Sequence, residues 1–246
     1  MACLGLQKKK IGERFRKELG LQRKKASQEI VTIDGPAGAG KSTVSKMLAR
    51  RLGYLYLDTG AMYRAVALRV RGERIGPEDD RELERLCKSM EIAFREGPDG
   101  QRLFCRGKDV TEEIRDPEIG RLASAVSMRR PVREAMAILQ RKMGERGGIV
   151  AEGRDTGTVV FPRARHKFFL NADPGERALR RYRELKAKGL GVTLEEVGRE
   201  VRERDAQDSS RELAPLRPAA DARVIDSTGL TPEEVVERML AAMKNP

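Results

Sequence analysis

The sequence predicts an α/β fold: a parallel sheet with helices on both faces and one inserted segment of different texture. Three observations carry that expectation. Short β-branched runs alternate with helical periodicity along most of the chain, and strands joined by crossover helices pair in parallel. A glycine-rich loop separates the first strand from the next helix. The alternation breaks once, near residues 91–106, where a hairpin pattern intervenes. A chain of 246 residues can fold on such a core without disulfides or a structural metal.

Taken in order, residues 1–27 form a basic extension with nine Lys/Arg and two Glu. Lys8 to Lys25 reads as a basic helix whose weak apolar stripe is Ile11, Phe15, Leu19 and Leu21. A solvated extension is the plain reading; a membrane-surface or nucleic-acid arm is the sharper one. The texture changes at Glu29. Residues 29–34 are a β-branched run and read as a strand. Residues 42–52 follow with helical period, and 54–58 form a second strand. Thr59 is placed to cap the helix running through Met62, Ala65 and Val66. A helix is expected over 79–90. Residues 91–95 and 102–106 then flank Gly97-Pro98-Asp99-Gly100, a hairpin turn signature. Helical patterns follow at 116–128 and 131–146. Strands at 149–151 and 166–170 restore the alternation, with a basic helix over 174–188, another over 194–204, a last strand at 224–226 and a helix from Thr231.

Composition bounds the function. The net charge is +12, much of it in the first 27 residues; the rest holds 41 basic and 36 acidic residues. Such a balance points to anionic partners, either nucleic acid or nucleotides. No stretch approaches the roughly 20 apolar residues of a membrane span, and the N-terminus lacks a signal-peptide core. Cys3, Cys87 and Cys105 are widely spaced without a CxxC pair, so buried or idle thiols in a reducing cytoplasm are expected rather than zinc or disulfides. His166 is the only histidine and starts a strand, which leaves a Ser-His-Asp triad unsupported.

The chemistry lies at strand ends. Gly35, Pro36, Ala37, Gly38, Ala39, Gly40, Lys41, Ser42 and Thr43 make the pattern GxxxxGK[ST], set between a strand and a helix as the motif requires. Its glycines let successive backbone N–H groups turn toward phosphate oxygens, and the helix N-terminus adds partial positive charge. Lys41 reaches the β/γ-phosphates, and Ser42 offers a hydroxyl to Mg²⁺. Arg64, one turn into the next helix, stands where it can reach an anion at the same sheet edge. Residues 152–162 bring Glu152, Arg154 and Asp155 together with glycines after the third strand. Arg202, Arg204, Arg211 and the arginines at 177, 180, 181 and 183 form an arginine-dense flap, read as a mobile lid that surrounds migrating charge and excludes water.

The blocks 35–43, 58–64, 152–162, 204–211 and 214–226 together resemble the bacterial cytidylate kinases, P-loop kinases of nucleoside monophosphates. GRDTGTVVFP (153–162) and APLRPAAD (214–221) are the specific parts, and the likeness runs from about Ile30 to the C-terminus. Residues 1–27 have no counterpart in a typical member. Glu152 replaces an aspartate of some members, and Thr59 a serine. Ala206, Gln207, Ser209 and Ser210 make the lid less charged than in some relatives. The resemblance implies a P-loop NTPase-type sheet with core segments 28–58 and 148–246, an inserted monophosphate-binding part over 59–147, and an Arg-rich lid at about 186–215. It implies transfer of the γ-phosphoryl group of ATP to CMP or dCMP with Mg²⁺. Lys41, Arg154, Arg204 and Arg211 would be catalytic. Thr59, Arg64, Ser124, Arg133, Arg154, Asp155, Asp208 and Arg211 would bind substrate, with Ser124, Arg133 and Asp155 facing cytosine. A cytoplasmic monomer without nucleic-acid or membrane partners is expected.

Three rival readings have distinct signatures. A small P-loop kinase for AMP, dTMP or shikimate would not need the GRDTGTVVFP block. A GTPase would need an Asn/Thr-Lys-x-Asp guanine-reading segment late in the chain, and none is present. A nucleic-acid-binding ATPase would offer more aromatic stacking partners than the 4% found here. The position of residues 1–27 ahead of the first strand yields a prediction. Their deletion leaves kcat and KM within about twofold and stability within about 1 kcal/mol, measured by steady-state kinetics and urea unfolding.

Overall fold

A computed structural model describes residues 29–97 and 100–244. The basic helix expected within 1–27, Cys3, and the turn residues Pro98 and Asp99 lie outside the described residues. Eight strands form two sheets: β1 (Ile30–Asp34), β2 (Leu55–Asp58), β3 (Ile92–Gly97), β4 (Gly100–Cys105), β5 (Lys108–Asp109), β6 (Ile149–Gly153), β7 (His166–Asn171) and β8 (Arg223–Asp226). Five of them make a parallel sheet in the order β2-β6-β1-β7-β8. The other three make a small antiparallel sheet.

Alternation along the central strands decides which helices cover which face. Val31, Ile33, Val150, Phe168 and Leu170 turn toward α1 (Lys41–Leu52) and α8 (Pro232–Lys244), meeting Val44, Leu48, Val235 and Met239. Ile149, Ala151 and Leu57 turn the other way, toward α2 (Thr59–Glu73), α4 (Pro117–Val126) and α5 (Arg130–Gly144). That second core also takes in Leu83, Leu86 and Cys87 of α3 (Asp80–Lys88), with Leu103 and Cys105 of β4. Each fully buried aliphatic side chain contributes about 1.5–3 kcal/mol. A third, small cluster of Leu185, Val197 and Val201 joins α6 (Pro174–Ala187) to α7 (Leu194–Ser209). No helix among the described residues is long and apolar enough to cross a membrane.

Three local details differ from the sequence expectation. The cap of α2 is Asp58, whose carboxylate accepts from the Ala61 N–H at 2.8 Å; Thr59 is already helical. The hairpin gains a third strand, β5, whose two residues are too few to show a period. The helix expected to stop at Arg204 continues through Ser209, because Arg177 and Arg154 reach Asp205 and Asp208 on that turn from other elements.

The carboxyl end of β1 fixes the site. Asp34, buried beside the glycine loop, accepts from the Thr156 N–H at 2.9 Å, the Thr156 hydroxyl at 2.8 Å and the Gly157 N–H at 2.7 Å. Burial pushes the Asp34 carboxyl up in pKa, while these donors work against the shift. They hold residues 156–160 as a short π-helix, with the Phe161 N–H bonded to Thr156 O at 2.7 Å. Space enforces the same packing. A Cβ on Gly157 would lie 2.8 Å from Thr32 Oγ1, and one on Gly35 would lie 2.0 Å from the Leu170 carbonyl oxygen. Arg141 of α5 closes the far end, donating to Val159 O and Val160 O. Asp34→Asn sets an amide N–H against those donors, so it lowers stability by about 3 kcal/mol; the urea midpoint falls with the slope unchanged.

Candidate active site

Three strand ends meet at one edge of the sheet. Asp34 lies opposite Gly153 in the register, and Asp58 opposite Glu152. The chain leaves β1 to one side, returns as β6, and crosses to β7 on the other, which places the switch point of the sheet at the glycine loop. Gly38 and Gly40 take left-handed backbone angles, with φ +77° and +87°. A Cβ on Gly38 would also lie 2.7 Å from the Arg177 carbonyl oxygen.

Lys41 is buried and donates to the Pro36 carbonyl at 2.7 Å, folded back on its own loop. Burial, with Arg154 and Arg204 nearby, pushes its ammonium down to about 7, against the pull of Glu152. The Ser42 hydroxyl donates to Glu152 Oε1 at 2.7 Å, and Glu152 Oε2 is enclosed without a hydrogen-bond partner. Burial and the charge of Asp58 raise the Glu152 carboxyl to about 7. An enclosed, unpaired carboxylate oxygen beside a loop hydroxyl fits a hard divalent cation. No cluster of three metal-ligating residues occurs among the described residues, as suits Mg²⁺ held by one or two protein oxygens and by phosphates.

Opposite the loop stand the arginines. The half-buried Arg64 donates to Ile114 O at 3.0 Å, and burial lowers its pKa, with Arg181 and Arg154 adding to the fall. Burial and the neighbouring Arg154 push Arg204 down to about 10, and its enclosed Nε has no acceptor. The Arg211 Nε is likewise unpartnered. Asp208, almost wholly buried, accepts from Arg154 Nε at 2.7 Å and pairs with Arg211. Burial opposes its ionisation, yet Arg154 and Arg211 hold its carboxyl below the ordinary range. Arg177 donates through Nε to Ala172 O at 3.0 Å and through NH1 to Ala37 O at 3.2 Å, and it pairs with Asp205 on α7.

Of the remaining predicted residues, Arg133 and Asp155 lie close to Arg211. Arg133 NH2 donates to Asp155 Oδ2 at 2.5 Å, both side chains being buried, and its guanidinium stands 5.7 Å from the centre of the Tyr63 ring. The Ser124 hydroxyl donates to Gln207 Oε1 at 2.8 Å. Thr59 is buried and donates to the Glu152 carbonyl at 2.6 Å. The structure therefore joins Arg154, Asp208 and Arg211 in one group, Arg133 with Asp155 in a second, and Ser124 with the α7 helix. Sequence reasoning noted the Glu152 carboxylate at the strand end but gave it no binding role, and left Asp34, Gln207 and Lys167 out of the site. Lys167 ties Pro162 O, at 2.6 Å, to the Asp221 carboxylate, at 2.8 Å. The role of Glu152 was findable, as that of a carboxylate ending the strand beside the loop-bearing one. Gln207 carries no such signal.

A phosphate-binding loop at the switch point of a parallel sheet, faced by a cluster of guanidinium groups, defines a P-loop phosphotransferase. The family model for cytidylate kinase matches residues 31–245. A cytidylate kinase of Geobacter sp. (strain M21) is 54% identical over 215 residues, spanning 87% of this chain and 92% of the relative. One of Geobacter sulfurreducens is 55% identical over 210 residues, 85% of this chain and 90% of the relative, and one of Enterococcus faecalis is 47% identical over 215 residues, 87% and 93%. The chain belongs to the cytidylate kinase family. The same fold recurs at 11% identity in an uncharacterized protein of Eubacterium ventriosum, with a TM-score of 0.51 over 89% of this chain and 99% of that one.

The state of Lys41 has a measurable consequence. In the free protein its ammonium titrates near 7, whereas nucleotide phosphates restore the charged form. MgATP binding at pH 8 is therefore accompanied by net proton uptake at the site. Calorimetry in two buffers of different ionisation enthalpy reads this uptake, and Lys41→Met removes it.

Proposed function

We propose that the chain transfers the γ-phosphoryl group of ATP to CMP or dCMP, giving ADP and CDP or dCDP, and that the residues brought together at the sheet edge carry the transfer. The observation that supports this most is Arg204 and Arg211: each encloses an Nε donor without an acceptor, and burial together with neighbouring guanidinium groups lowers the pKa of both. Such an arrangement is costly until trianionic or tetra-anionic phosphate neutralises it.

In this reading, residues 35–43 cradle the donor's phosphates through backbone N–H groups. Lys41 swings from Pro36 O to the β/γ-phosphates. Mg²⁺ would be held by Ser42, with Glu152 beside it, and would neutralise charge between the phosphates. Arg64, Arg154, Arg204 and Arg211 neutralise the acceptor phosphate and the migrating group. Transfer is direct and in line, with no phospho-protein intermediate, so positioning and charge neutralisation account for the rate. Asp208 keeps Arg154 and Arg211 aimed, and with Thr59 it faces the acceptor nucleotide. The α6–α7 hairpin is the lid, and closing it keeps water from the γ-phosphoryl group. The segment 59–147 is the monophosphate-binding part. The enzyme works as a cytoplasmic monomer on nucleotides; the free, buried thiols of Cys87 and Cys105 suit a reducing compartment.

Base recognition falls to Ser124, Arg133 and Asp155. Cytosine presents a 4-amino donor with acceptors at N3 and O2, whereas uracil presents a 4-carbonyl and an N3–H. Arg133 offers only donors and ionised Asp155 only acceptors. Their mutual ion pair leaves each with its remaining groups in a fixed place, so UMP meets two mismatches worth about 1–3 kcal/mol each. The wild-type preference for CMP over UMP is then roughly 10²–10⁴ in kcat/KM. Arg133→Ala and Asp155→Ala each lose more activity on CMP than on UMP. A coupled ADP-release assay with CMP, dCMP, UMP and AMP measures both expectations; use of UMP within threefold of CMP removes the assignment.

A further inference from the structure

We infer that Gln207 sets the base preference of the site by fixing the polarity of the Ser124 hydroxyl. The inference rests on the reading of Ser124 as a base-facing residue. A serine hydroxyl holds one proton and two lone pairs and can face a neighbour as donor or acceptor. Here the proton is committed: Ser124 Oγ donates to Gln207 Oε1 at 2.8 Å. Toward every other group the oxygen then offers lone pairs alone. It bonds the 4-amino group of cytosine and repels the 4-carbonyl of uracil.

The orientation of the Gln207 amide follows from its other neighbour. Its nitrogen lies 2.9 Å from Met128 Sδ, and a thioether accepts weakly and donates nothing. The amide N–H therefore belongs on the sulfur side and the carbonyl oxygen on the serine side. The turn bearing Ser124 is held independently. Ser127 Oγ donates to Ser124 O at 2.8 Å, and Arg133 NH1 donates to Ser127 O at 2.9 Å. The hydroxyl is thus set by Gln207 on a fixed backbone, and that backbone is braced by another base-facing residue. Gln207 also adjoins Asp208, which Arg154 grips, so the polarity of Ser124 is set only while α7 is docked.

Three variants of the full chain test this, with kcat/KM measured for CMP and for UMP at pH 8. Gln207→Met keeps the length of the side chain but lets Ser124 turn its proton outward. It raises kcat/KM for UMP about tenfold and leaves that for CMP within about threefold, as expected when one mispaired contact is relieved. Gln207→Glu retains an acceptor and keeps the wild-type CMP/UMP ratio within about twofold. Ser124→Ala lowers the ratio whether or not Gln207 acts on it. If Ser124→Ala lowers the ratio while Gln207→Met leaves it unchanged, Ser124 reads the base and the inference about Gln207 fails. Equal loss in the Met and Glu variants also overturns it, since packing rather than polarity would then be at work. If Ser124→Ala leaves the ratio unchanged, the base-facing reading falls and the inference with it.

Discussion

The rest of the site depends on one buried carboxylate. Asp34 ends the central strand, begins the phosphate loop and takes three hydrogen bonds from the start of the π-helix at 156–160. A carboxylate is needed there because both oxygens must accept; an amide would turn a donor toward a donor. Through this contact the glycine loop and the backbone that carries Arg154 and Asp155 become one rigid piece. Burial of the charge opposes folding, and the three donors offset it. The tight approach at Gly157, Gly153 and Gly35 follows from the same geometry, since a Cβ at any of them would intrude on its neighbours.

Electrostatics on the other side of the cleft have the opposite character. Asp34 is fully satisfied, whereas Arg204, Arg211 and Glu152 each keep an enclosed polar atom without a partner. A domain with two sizeable apolar cores can carry such groups. They cluster beside the glycine loop, and burial first, then mutual repulsion, lowers the pKa of Lys41 and Arg204. Asp208, held by Arg154 and Arg211, tempers it on α7.

Much of this was legible in the sequence because it rests on local signals. The glycine loop, the β-branched strands and the Pro-initiated helices α4, α5 and α6 each announce themselves within a few residues. The strand order does not, because Ile30 to Asp34 must find partners 119 and 135 residues away. The cap of α2 was misplaced by one residue, since Asp58 and Thr59 are both good caps and only tertiary structure commits Thr59 to the Glu152 carbonyl. The polar run after Arg204 read as a loose flap because it lacks an apolar stripe. Its order comes from Arg154 and Arg177, which reach it from other elements. Gln207 read as mere loss of charge; its role arises from a serine 83 residues earlier in the chain.

The double attachment of Arg177 reaches beyond packing. One guanidinium donates to the Ala37 carbonyl in the phosphate loop and pairs with Asp205 on the lid helix. In the proposed mechanism, filling the loop and docking the lid draw on this same donor and share a free energy. Coupling of this kind is symmetrical at equilibrium: whatever factor one nucleotide adds to the affinity of the other is returned in full. The stability of the ternary complex is then independent of which nucleotide arrives first. An accidental encounter with one nucleotide alone leaves the assembly short of that shared term, so the synergy itself discriminates against hydrolysis in the absence of an acceptor.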